Sequence, residues 1–200
     1  ALEFTHMTQT QQACLPDVLA GADVAVQAKT GSGKTLAFGL ALLSKIDIEA
    51  KNPQCLIMCP TRELAEQVAE QIRLDHIGKR TLSLKRVNCF VLDEADRMLD
   101  MGFEDEMRVV MHHLSQTALA STRQTLLFSA TFPDQIKSIT DQYQRNAKII
   151  KVEDGQSAPN IEQQAYRIGN EHRTQAVAAL LTHHQIESTI VFCRTRRETK

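Results

Sequence analysis

Apolar residues along this chain fall into short, nearly unbroken runs that alternate with longer stretches of helical spacing. The runs at residues 24–26, 55–59, 87–92, 124–128 and 147–152 read as strands. Residues 35–46, 62–73, 101–114 and 134–144 repeat apolar positions every three or four residues and read as helices. Strands this apolar, with little polar alternation, belong to a parallel sheet covered by helices on both faces. The expected fold class is therefore α/β. After Val152 the pattern gives way to Glu-Asp-Gly-Gln-Ser-Ala-Pro-Asn, a polar linker. A smaller strand–helix–strand piece follows at 161–167, 174–183 and 189–193. The expected organisation is a domain at 1–152, a linker at 153–160 and the opening of a second domain at 161–200.

Composition narrows the possibilities. Of the 200 residues 42% are apolar, enough for a core, and no apolar run is long enough to cross a membrane. No secretory or transit signal opens the chain, and the expected compartment is the cytoplasm. Five cysteines, an odd number lying mostly in apolar runs, suit reduced core thiols rather than a disulfide framework. Cys55 and Cys59 share one face of a strand with no second ligand pair, so core packing outweighs a metal site. The pairs His112-His113 and His183-His184 fall in expected helices, where neighbours point about 100° apart and do not readily chelate one ion. The formal net charge is −1, so nucleic acid would have to be held by a local groove rather than a global basic field.

The candidate chemistry starts at Ala28-Lys29-Thr30-Gly31-Ser32-Gly33-Lys34-Thr35, between the first strand and the first long helical pattern. Glycines let backbone N–H groups turn toward a polyphosphate, and the following helix adds its positive end. In such a loop Lys34 reaches the β- and γ-phosphates and the Thr35 hydroxyl ligates Mg²⁺. Ala28 stands where the general pattern has its first glycine. A second strand ends in Asp93-Glu94. Beside a phosphate loop, the first acid suits the metal and the second the attacking water.

In full that second sequence is Asp93-Glu94-Ala95-Asp96, and the chain resembles the DEAD-box ATP-dependent RNA helicases, with a bacterial cast. Phe4, Thr8 and Gln11 resemble the adenine-reading motif of that family, although Met7 and Thr10 depart from its usual proline and isoleucine. The phosphate loop has the family form Ala-x-Thr-Gly-Ser-Gly-Lys-Thr. Pro60-Thr61-Arg62-Glu63, followed by Leu64-Ala65, resembles a motif that grips the RNA backbone. Ser129-Ala130-Thr131 resembles the motif coupling hydrolysis to strand separation, and Val191-Phe192-Cys193 the start of a motif in the second domain.

The resemblance implies a RecA-like P-loop NTPase domain using ATP and Mg²⁺ and acting on RNA. In it Gln11 reads adenine, Ala28 through Thr35 hold the phosphates, and Thr35 with Asp93 holds the metal. Glu94 orients or deprotonates water, and Asp96 with Ser129, Ala130 and Thr131 relays the state of the nucleotide. Pro60, Thr61, Arg62 and Glu63 meet RNA. The residues carry plainer alternatives. Gln11 could be a solvated helix amide with Gln12 in its place, and Arg62 could pair with Glu66 four residues on. Ser129 and Thr131 could bond the 93–96 turn or cap the helix before Pro133. A hydroxyl and guanidinium at 61–62 suit phosphate, which carries no base information.

Two absences shape the expectation. The transition-state arginines of the family's second domain are not in this sequence, and such groups contribute about 10³–10⁵ in rate, so poor turnover is expected of this chain. Leu74-Asp75-His76-Ile77-Gly78-Lys79 also follows Arg73 directly, without the Thr-Pro-Gly-Arg and Gly-Gly elements that the family carries between such segments. Roughly fifty residues, two strands and a helix, are missing there. Omission of a mobile segment, an engineered deletion and a natural loss each explain the joint. The cost of unpaired apolar strand edges favours the first.

Overall fold

The computed structural model describes residues 6–72, 84–152, 162, 164–169, 172–185 and 188–193. Phe4 and the Arg73–Leu74 joint lie outside the described residues. The chain divides into two units, Ala1–Gly155 and Gln156–Lys200.

The first unit is built on five parallel strands: β1 (Val24–Gln27), β2 (Cys55–Met58), β3 (Cys89–Leu92), β4 (Gln124–Ser129) and β5 (Lys148–Lys151). Their order across the sheet is β2-β3-β4-β1-β5. β1 pairs with β4 through Val24↔Leu126 to Gln27↔Ser129, and with β5 through Val24↔Lys148 to Gln27↔Lys151. Alternation along each strand splits the apolar residues between two cores. Val24, Val26, Val91, Leu126 and Phe128 face helices α1 (Gln9–Leu19), α2 (Lys34–Leu43) and α3 (Arg62–Ile72), through Cys14, Val18, Phe38, Leu42 and Val68. The Phe38 and Phe128 rings meet there with centroids 5.3 Å apart. Ala25, Phe90, Leu92 and Leu127 face α4 (Ala95–Asp100), α5 (Glu104–Ser115) and α6 (Asp134–Tyr143), through Met98, Met107, Met111, Ile136 and Ile139. The expected sheet covered on both faces is what forms.

Buried polar side chains tie the strand starts together. Asp23 is 3% exposed and accepts from Thr125 N at 2.8 Å and Arg145 N at 2.7 Å. The Gln124 amide donates to Val18 O and Ala22 O, and its carbonyl accepts from Lys45 Nζ at 2.7 Å. Gln144 donates to Val24 O and Thr125 O. All but the Lys45–Gln124 bond satisfy a backbone group that burial would otherwise strand, and together they register β1 against β4.

Three expectations are corrected. Residues 101–114 are not one helix: the chain turns at Met101-Gly102-Phe103, with Gly102 at φ 82°, so α4 and α5 are separate. Only glycine takes that left-handed turn without strain. The helix at 35–46 stops earlier, at Leu43. In the second unit the helix forms as α7 (Arg173–His184), but the described residues of 161–167 and 189–193 are not in strands. Ile190 and Phe192 there are 79% and 91% exposed. A strand needs a ladder and a covered face; the described residues there form no ladder, and all but Cys193 are exposed.

The Asp23 staple is testable. Asp23→Ala leaves two backbone donors without their acceptor beside the Arg145 guanidinium and is expected to cost about 3–5 kcal/mol in denaturant unfolding. A loss under about 1 kcal/mol would show that the staple does not hold the strands.

Candidate nucleotide and nucleic-acid site

In a parallel sheet every strand ends on the same edge, and ligands sit in the crevice at that edge. The loops after β1, β3 and β4 meet there. Ala28 N donates to Ser129 O, continuing the β1–β4 ladder into the loop itself. Gly31 (φ 80°) and Gly33 (φ 83°) both take the left-handed backbone. A Cβ on Gly31 would meet open space, whereas one on Gly33 would come within 2.5 Å of Gln11 Nε2. Glycine at 33 is therefore favoured by its left-handed backbone, and a Cβ there would also displace the Gln11 amide. Lys34 is buried at the start of α2 and donates to Ala28 O at 2.9 Å, across the mouth of the loop. Thr35 is half-buried on the next position, and Lys29, Thr30 and Gly31 form the exposed crest.

The loop fits a phosphate ligand on one specific observation. The Ser32 hydroxyl oxygen is buried and has no hydrogen-bond partner. A buried hydroxyl left unpaired costs about 1–3 kcal/mol, and a phosphate oxygen is a natural acceptor for it.

Gln11 is 6% exposed, so it is not a solvated helix amide. It is the third helical residue of α1 and closes a capping box with Thr8: Gln11 N donates to Thr8 Oγ1, and Thr8 N donates to Gln11 Oε1 at 2.9 Å. The box reaches the loop as well. Thr8 Oγ1 donates to Ser32 O at 2.7 Å and Gln11 Nε2 to Gly33 O at 3.2 Å. One amide N–H and one carbonyl lone pair remain on Gln11. Gln12 instead bonds Met7 O on the exposed side.

Asp93 and Glu94 end β3. Asp93 is 7% exposed and accepts from Glu94 N at 3.0 Å. Burial pushes its carboxyl up to about 6; the Lys34 ammonium pulls it down, and the Glu94 charge pushes it up again. Glu94 takes φ 53°, a left-handed conformation uncommon for a side chain of this kind and often found where function holds it. Its carboxylate lies 3.4 Å from Arg97 Nη1. Sequence reading passed over Arg97, although an acid three residues before a base on a helix is a visible signal.

Asp96 joins the end of β4. Its Oδ2 accepts from Thr131 N at 2.8 Å and Thr131 Oγ1 at 2.9 Å, and its own N–H donates to Ser129 Oγ at 3.1 Å. Burial works to raise this carboxyl, but the hydrogen bonds from Thr131 and Ser129 outweigh it and hold Asp96 below its ordinary range. The helix after Pro133 has no side-chain cap, so the hydroxyls serve the 93–96 turn and not that helix. Ala130 is the half-buried link between them.

Beyond β2, Pro60 is buried and Arg62 exposed at the start of α3. Thr61 Oγ1 accepts from Leu64 N at 3.2 Å, so this hydroxyl caps α3. The Glu63 carboxylate is held below its usual range by its own backbone N–H and then by the Thr61 hydroxyl. Among the described residues no ion pair joins Arg62 to Glu66. No group of three His, Cys, Asp or Glu among them could hold a metal by itself, and no helix is long and apolar enough to cross a membrane.

A DEAD/DEAH box helicase family model matches residues 8–75 and 73–139. The chain belongs to the DEAD/DEAH box helicase family. It is 40% identical over 238 residues to the ATP-dependent RNA helicase DbpA of Escherichia coli, covering 98% of this chain and 51% of that one. To the ATP-dependent RNA helicase DeaD of Haemophilus influenzae it is 35% identical, covering 99% and 38%. A crystal structure of a DEAD box protein from Methanococcus jannaschii superposes with a TM-score of 0.66 at 30% identity, over 96% of this chain and 61% of that one. The chain thus spans about half the length of the curated relatives it matches. The two stretches of the family match meet at 73–75, and an aligned span of 238 residues exceeds the 200 of this chain. The relative therefore carries internal sequence that this chain lacks.

Asp93 ties the site to stability. Its pKa in the folded chain lies above that of the unfolded chain, so its favourable contribution is complete below about pH 4 and is lost as the pH rises through about 6. In metal-free buffer Asp93→Asn is expected to match the parent below pH 4 and to be more stable by up to about 3 kcal/mol above pH 6. A variant that is less stable at neutral pH would contradict this.

Proposed function

We propose that this chain is the nucleotide-binding part of an ATP-dependent RNA helicase. The observation that carries the reading is the meeting of a glycine loop, a buried Lys34, the Asp93-Glu94 strand end and the Asp96–Thr131 bond on one edge of the sheet. Family membership supports it, as do relatives whose names state ATP-dependent RNA helicase activity.

In this reading Gln11 spends its remaining N–H and lone pair on the adenine edge, and the backbone from Ala28 to Thr35 holds the phosphates. Lys34 exchanges its bond to Ala28 O for a phosphate oxygen. Thr35 and Asp93 hold Mg²⁺, which when bound neutralises phosphate charge. Glu94, kept by its backbone turn near the end of β3, orients the attacking water and takes its proton. Asp96 with Ser129, Ala130 and Thr131 links the β3 and β4 ends, so a change at one is felt at the other. Pro60 fixes the entry to α3, and Thr61, Arg62 and Glu63 meet the RNA backbone; there Thr61 gives up part of its cap. Such contacts carry little base preference and weaken with salt. The protein acts in the cytoplasm.

Two substitutions separate binding from chemistry. Lys34→Ala is expected to weaken Mg-ATP binding by ten- to a hundredfold, the worth of a charge-assisted bond of about 1.5–3 kcal/mol. Glu94→Gln keeps size and hydrogen bonding, so affinity should hold while turnover collapses in a chain extended to the relatives' full length. Unchanged affinity in Lys34→Ala would remove the lysine from the phosphate site. Equal loss of binding and turnover in Glu94→Gln would make Glu94 a structural or metal-holding group instead of the base.

A further inference from the structure

A pocket opens at the strand starts, on the opposite edge of the sheet from the glycine loop. The C-terminal ends of α5 and α6, the early residues of β3 and β4 and the α5–β4 loop enclose about 190 Å³ there. Phe90, Met111 and Leu114 form its apolar wall, and Arg123, Gln144 and Arg145 its polar one. The buried Arg123 guanidinium donates to Val87 O and Leu114 O, each at 2.8 Å, and to the Thr117 hydroxyl. That leaves two of its five N–H groups. Arg145 donates to Ser121 O and Arg123 O, and its Nε stands 3.8 Å from Asp23 Oδ2. Arg108 bonds Gln142 beside the pocket but is paired with Glu104 at 2.8 Å. No Asp or Glu is among the described residues that line the pocket. Two guanidiniums against the single carboxylate of Asp23 leave one positive charge in excess. Burial, and after it the Arg145 charge, pulls Arg123 below its ordinary range. Gln144 is 8% exposed and spends both amide N–H groups on Val24 O and Thr125 O, while its Oε1 is buried with no partner. It can therefore only accept, and a buried acceptor left unpaired is costly.

We infer that this pocket binds a small organic monoanion, a single-ring carboxylate that carries a hydroxyl or N–H donor. The remaining guanidinium N–H groups suit a planar carboxylate, which matches their fork. The wall of Phe90, Met111 and Leu114 suits the ring, and Gln144 Oε1 takes the donor. Size sets the class. An apolar cavity of about 150 Å³ holds one benzene ring, so about 190 Å³ admits a ring with two small substituents. A nucleotide is too large for it, and its several negative charges exceed the one positive charge in excess. The pocket shares no residue with the nucleotide site, so this inference does not rest on the function proposed above.

The probe is 4-hydroxybenzoate, titrated into the unmodified chain while backbone amide NMR shifts are followed. Saturable shifts are expected at residues 120–125 and 142–145, with a dissociation constant of about 1 mM or tighter, the same with and without Mg-ATP. Methyl 4-hydroxybenzoate lacks the charge and 4-methylbenzoate the donor, and each is expected to bind about tenfold more weakly or worse. Ala120→Leu fills the pocket, removes no hydrogen bond and should abolish the shifts while thermal unfolding stays near that of the parent. If that variant does not fold, the two analogues on the unmodified chain decide. The inference would be overturned by the absence of saturable shifts at these residues, which would leave the pocket to water. Equal affinity for either analogue would overturn it too, as would shifts confined to residues 28–35 or binding that persists in folded Ala120→Leu.

Discussion

The structure depends on β1 lying between β4 and β5 in a parallel ladder. That pairing buries Val24, Ala25 and Val26 completely and continues past the strand end through the bond from Ala28 N to Ser129 O. The glycine loop then leaves the sheet beside the end of β4, with the end of β3 one strand farther along the same side. Everything chemical in the molecule follows from this placement, because Asp93, Glu94, Asp96 and Ser129 stand at those ends. The polar staples at the opposite edge, Asp23, Gln124 and Gln144, keep the register that makes the ends coincide.

Bringing these groups together has a cost that the chain carries in identifiable places. Asp93 is buried beside two other acids, and the Lys34 ammonium offsets only part of the penalty. Glu94 holds a left-handed backbone, and Ser32 keeps a buried hydroxyl without a partner. Asp96 is the opposite case, since Thr131 and Ser129 satisfy it fully enough to hold it ionised. The unsatisfied groups lie where a phosphate and a cation would compensate them, and the satisfied one joins the ends of β3 and β4.

Much of this was legible before the structure. The unbroken apolar runs specified buried parallel strands because burial on both faces removes alternation, and each of the five strands of the first unit lies within two residues of its expected place. The glycine loop and the Asp93–Asp96 turn could be read because backbone conformation and charge demand those residue types in that order. Other features were masked locally or depend on contacts distant in sequence. Helical periodicity ran through Met101-Gly102-Phe103 and masked the one local signal there, Gly102, whose left-handed turn divides α4 from α5. The strands expected in the second unit had the right composition, but among the described residues they form no ladder. Gln11 was singled out for its amide; its capping box with Thr8 is a local Thr-x-x-Gln pattern, whereas its bond to Gly33 O emerges only once α1 packs beside the loop.

The central claim is that the strand ends form a site for an adenine nucleotide, with Gln11 as the base reader. The most direct measurement is competition by unlabelled ATP and GTP against a bound fluorescent ATP analogue, with the unmodified chain and Mg²⁺ present. The adenine edge offers the remaining Gln11 N–H and lone pair their complements, while the guanine edge reverses that pattern. ATP is expected to displace the probe and GTP to displace it far less. Equal displacement by both would contradict the account.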